Sequence, residues 1–144
     1  MSASIGRITI AIVIVHAVIA LVHGSAHQAL PVSLSTLQSL FVFVVIAIGP
    51  LAGAILLGTG RIMRGNRIIL GSMAGSLVFG LYYHFMEVGP DHVSQVPLDG
   101  WGQVFRISAA LLLLSEGLGC WAAVWALNQM PRGERTAEPR SARA

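Results

Sequence analysis

Lysine is absent from this sequence, cysteine occurs once, and only 10% of its 144 residues carry a charge. So little charge, beside 55% hydrophobic residues and a mean hydropathy of +0.75, excludes an ordinary water-soluble domain. The lone Cys120 lies in an apolar run, which excludes an internal disulfide and leaves no second thiolate for a zinc or iron–sulfur motif. Without lysine, all nine basic residues are arginines, a coding bias that points to a GC-rich bacterial genome. They sit in short polar segments with no interleaved aromatics, so the pI near 10.0 is no argument for nucleic acid as a partner.

Long apolar runs are what the chain does have. Four of them, at about 8–30, 36–58, 68–88 and 104–128, approach the roughly 20 residues that a membrane-spanning helix needs. Backbone groups left unpaired in lipid rule out isolated strands, so the expected fold is all-α and integral to the membrane: one antiparallel bundle of four transmembrane helices over residues 1–130. Ser35-Thr36-Leu37-Gln38 reads as a capping box opening the second helix, and Pro50 predicts a kink within it. Small residues early in the third helix, Gly71, Ala74, Gly75 and Gly80, suit close helix approach. Trp101 and Phe105 are placed at one membrane interface, and Trp121 and Trp125 toward the other. Residues 131–144 read as a polar, disordered cytoplasmic tail.

Charge sets the expected orientation. If the spans alternate, eight of the nine arginines share one side, and the positive-inside rule then puts both termini and the 58–68 connection in the cytoplasm. The expected location is a bacterial inner membrane, with the 88–104 loop facing outward.

Ionisable residues within such spans are rare and mark a bundle interior, a partner or a water-filled path. At roughly 100° per residue His16, His23 and His27 fall within an arc of about 40°, a single polar stripe on the first helix. Counting depth at about 1.5 Å per residue places His84 beside His23 and Glu87 beside His27, with Glu116 near His16. Two levels follow. The outer one holds His23, His27, His84 and Glu87, with Gln38, Asp91 and His92 close by; the inner one holds His16 and Glu116, with Cys120 a turn further along the glutamate's face.

His23 and His27 stand four apart, and His84 and Glu87 three apart, spacings that set two ligands on one helix face. Imidazoles and a carboxylate without thiolate suit a zinc, iron or copper ion. The His84-x-x-Glu87 spacing resembles, in reverse order, the Glu-x-x-His of di-iron carboxylate bundles over those four residues, without the second copy that a di-iron site takes. His23 and His84 at equal depth would also serve as the axial pair of one haem b. The reading these residues favour is a metal-binding membrane protein in redox or metal handling. Others stay open: a single-haem electron carrier, a proton or metal-ion transporter subunit with His16 and Glu116 as its proton relay, an acid/base enzyme on a lipid-like substrate, or a non-catalytic subunit. The lipid bilayer is the expected partner, together with a homo-oligomer or a larger membrane complex.

Overall fold

A computed structural model describes residues 3–30 and 32–130; the tail expected to be disordered lies outside the described residues. Within them the chain is helical, without strands, and four helices are long and apolar enough to cross a membrane. These are α1 (Ala3–Ala29), α2 (Thr36–Gly58), α3 (Ile62–Met86) and α4 (Gly100–Asn128). The protein is a four-helix membrane bundle. Successive helices run in opposite directions: Gly53 meets Ile69 where α2 passes α3, Gly75 meets Val45 further along, and Met73 and Ser76 of α3 meet Gly119 and Glu116 of α4.

The helix ends follow local chemistry. Ser35 and Gln38 form the expected capping box: Gln38 N–H donates to the Ser35 hydroxyl (3.3 Å), and Ser35 N–H to the Gln38 side-chain oxygen (2.7 Å). At the other end of α2, Gly60 takes a positive φ of 81°, which lets Arg61 N–H reach back to the Leu56 carbonyl and Gly60 N–H to Leu57, a Schellman closure. Helix α3 starts six residues before the apolar run suggests. Hydropathy falls at Arg64 and Arg67, but helical hydrogen bonding does not stop at charged side chains.

Two stretches widen to i→i+5 hydrogen bonding, Val42–Ile48 in α2 and Tyr82–Met86 at the end of α3. The first lies just before Pro50, where the sequence predicts a kink. Pro50 has no N–H for the carbonyl four residues back, Ile46, and the turns before it open to accommodate the ring.

Helix α4 is the centre of the bundle, packed on both α1 and α3. Ser108, Leu112, Ser115, Gly119, Ala122 and Ala126 recur at alternating steps of four and three and are all buried, the period of a left-handed helix pair. On α1 the buried stripe runs through Ile5, Thr9, Val13, His16, His23 and Ala26, so the polar stripe read from the sequence is the inward face. Phe105, expected at an interface, is fully buried under that stripe.

A tight helix approach joins Gly53 of α2 to Gly65 of α3; Gly75 meets Val45 more loosely, and Gly71 itself meets nothing within 4 Å among the described residues. A Cβ on Gly53 would stand 2.5 Å from Ile69 Cγ1 and 2.9 Å from the Gly65 carbonyl oxygen. Gly53→Ala is therefore expected to destabilise the bundle by about 1–3 kcal/mol, the usual cost of overpacking. Thermal unfolding in detergent checks it, with Gly71→Ala as the variant that leaves the midpoint unchanged.

Candidate metal centre

Three imidazoles meet where α1 ends. His23 and His27 project from the inward face of α1 one turn apart, and His84 reaches them from the widened last turn of α3. One ring nitrogen from each lies within 4.8 Å of the other two. The ring centroids of His23 stand 4.8 Å from His27 and 4.9 Å from His84, and Phe105 packs at 4.7–5.3 Å against all three. This floor is dry and apolar. His23 and His84 are 6% and 5% exposed, so little water competes for their nitrogens.

A carbonyl can only accept, so His84 Nδ1–H donates to the Asp91 backbone carbonyl at 3.0 Å and His84 Nε2 carries the lone pair. His23 Nε2 faces that lone pair at 3.2 Å, and His23 Nδ1 lies 2.9 Å from the Ser108 hydroxyl, which also reaches the Val104 carbonyl at 2.7 Å. His27 turns its Nε2 toward the Asp91 carboxylate (3.3 Å), and among the described residues its buried Nδ1 has no hydrogen-bond partner. Each ring thus has one nitrogen beside an outer group, Ser108 for His23, the Asp91 backbone for His84 and the Asp91 carboxylate for His27, as outer groups orient metal-ligating histidines. Two nitrogens about 2.0–2.1 Å from a tetrahedral zinc stand about 3.3–3.4 Å apart, which the His23–His84 separation nearly matches.

Asp91 is the acidic partner of the cluster, in place of Glu87. The i→i+5 turn over Tyr82–Met86 means that three residues no longer return to the same face, and the backbone is already extended at Glu87 (φ −83°, ψ 119°), which leaves it exposed beside Tyr82. The loop folds back instead: Val93 N–H donates to the His84 carbonyl, which closes the chain over the cluster and carries Asp91 onto it. Burial pushes the Asp91 carboxyl above the usual carboxylate range, while the His84 and His27 rings beside it pull the other way. His92 turns away to Ser94, and Gln38 is occupied in its cap.

The inner-level pair does not meet. His16 is held between the Ser115 hydroxyl (Nδ1, 3.3 Å) and the Ile46 carbonyl (Nε2, 3.4 Å), the carbonyl that Pro50 leaves without its helical donor. Glu116, the next residue after Ser115, faces α3, where one oxygen takes a short hydrogen bond from Ser76 and the other has no partner among the described residues. Neighbours about 100° apart on a helix cannot share one target. Cys120 packs beside the core formed by Val13, Ile69 and Met73.

A haem requires its axial rings on opposite sides of a flat macrocycle. Here the His23 and His84 rings stand edge to face, and His27 and Phe105 fill the space beside them, so the geometry suits a bare ion. No family model, curated protein or solved structure matches the chain. The functional argument therefore rests on the site itself. Asp91, Ser108 and Phe105 were visible in sequence as residue types at suitable depth, but only Asp91 could be placed near the cluster by position along the chain.

Proposed function

We propose that this chain is an inner-membrane protein, with both termini cytoplasmic, that holds one transition-metal ion on His23, His27 and His84 in the service of membrane redox chemistry or metal handling. The single observation that carries the reading is the convergence of imidazole nitrogens whose opposite ring positions are already anchored by Ser108 and Asp91. The His23 and His84 Nε2 atoms face each other at 3.2 Å, close to the separation of two nitrogens on one tetrahedral ion.

Three nitrogen ligands and no thiolate favour zinc, copper(II) or iron(II), and three protein ligands leave a fourth position for water or substrate. When bound, the ion supplies Lewis acidity or an electron at that position. The chain itself orients the rings, keeps bulk water out with Phe105, and places the Asp91 carboxylate close enough to balance the charge. The positive-inside arrangement of the arginines supports the orientation, and the bilayer is the one partner this reading requires.

The test is elemental analysis of detergent-purified protein, followed by cobalt(II) titration of the chelator-treated form. A single ion per chain, with the visible absorption of four-coordinate cobalt, is expected. Protein that carries no ion and gives no saturable cobalt spectrum overturns the proposal.

A further inference from the structure

A cavity of about 190 Å³ runs from the histidine cluster along α4, past Ala109 and Leu112, to Ser76 and Glu116. Its walls are apolar and its two ends are polar. At one end stand His23, His27 and His84; at the other is the unpartnered oxygen of Glu116, a residue only 2% exposed. A buried carboxyl oxygen with no partner is costly, and here its residue borders a cavity large enough for a ligand. Gly80 joins the two ends: a Cβ on it would stand 3.8 Å from His84 Cδ2 and 3.9 Å from Glu116 Oε2.

The side of the cavity away from α4 is bounded by Gly24 of α1 and by Val42 and Ile46 of α2, and these helices pack on each other mainly through the second half of α2. Where they part, both flanks are apolar membrane spans, so a ligand taking that route carries an apolar body. Size narrows the class further. An apolar cavity of about 150 Å³ takes one benzene ring, so this one fits a single six-membered ring with small substituents.

We infer that this cavity binds the head of a lipophilic quinone or quinol, one ring oxygen directed at the histidine cluster and the opposite one hydrogen-bonded to Glu116, with the tail leaving between α1 and α2. A carboxyl group is suited to both forms, since it can accept from a quinol hydroxyl or, as the acid, donate to a quinone carbonyl. The oxygen at the cluster end rests on the metal reading above; the Glu116 contact and the fit of the ring do not.

The probe is a decyl-tailed benzoquinone, measured by equilibrium dialysis against detergent-purified protein. Saturable binding at one site is expected, weakened about tenfold by Glu116→Met, the worth of one buried hydrogen bond. Gly80→Ala adds only ordinary contacts and should weaken binding, while Gly80→Val, whose methyls enter the space, should abolish it with metal content unchanged. Decyl alcohol competing as well as the quinone, or full binding by Gly80→Val, overturns the inference. Metal content of the same preparations separates the two readings. An ion-bearing protein that ignores quinone overturns this inference alone, and Gly80-sensitive quinone binding by a chain that holds no ion overturns the metal reading alone.

Discussion

Replacing His84 with alanine is expected to lower metal affinity by at least about 100-fold and to erase metal-dependent stabilisation. Loss of an outer group that merely orients a ligand costs 10–100-fold, and His84 is itself one of the three proposed ligands, the one that ties α3 to α1. With it gone, His23 and His27 remain as two nitrogens on one helix. Binding to the folded state alone raises stability by about 4 kcal/mol when free metal exceeds Kd a thousandfold. The wild-type unfolding midpoint should therefore rise clearly when metal is added to the chelator-treated protein, and the His84→Ala midpoint should stay still. His16→Ala is the control for general damage. That ring is as deeply buried, at 1% exposure, but its nitrogens serve Ser115 and Ile46. It should lower the midpoint while keeping the metal response. A metal-dependent shift that survives in His84→Ala removes the cluster from consideration.

Asp91→Ala should weaken metal binding by about 10–100-fold without abolishing it. Two roles meet in this residue. Its carboxylate faces His27 Nε2 at 3.3 Å and orients that ring, while its backbone carbonyl anchors His84 and survives the substitution. The three ligands are uncharged as they bind, so a dication in this buried site has Asp91 as its nearest opposing charge, and the effect of removing that charge is larger in a low-dielectric site than in water. Asp91→Asn keeps the shape and removes only the charge, so its loss should be the smaller. Competition with a chelator of known affinity measures both. Equal binding by Asp91→Ala and wild type would show that the loop has no part in holding the ion.

How much of this could be read along the chain depends on how local each feature is. The four spans were legible because the cost of unpaired backbone in lipid is met by any apolar segment of sufficient length, whatever its neighbours. The capping box was legible for the same reason, since Ser35 and Gln38 need only each other. So was the inward face of α1, because three histidines within one arc cannot all be tolerated against acyl chains. Depth counting brought His84 to His23 correctly, as rise per residue varies little even where the turn widens.

Rotation about a helix axis was another matter. Glu87 was expected beside His84 on the assumption of a regular α-helical turn, and the i→i+5 stretch at Tyr82–Met86 moves it away. Glu116 was expected to face His16; the α4 seam that buries Ser108, Leu112 and Ser115 gives Ser115 the position toward α1 and turns Glu116 toward Ser76. Both misplacements are matters of a quarter turn, which depth along the membrane does not report.

By itself, the sequence determined that this is a four-helix membrane protein and that imidazoles from its first and third helices lie at one depth, because length, hydropathy and spacing act within a single segment. Tertiary structure alone decided that Asp91 rather than Glu87 attends the histidines, that Phe105 floors them, and that a cavity links them to Glu116. Those outcomes depend on how each helix is rotated against its neighbours and on where the loop after His84 folds back, and such choices are made by packing between segments.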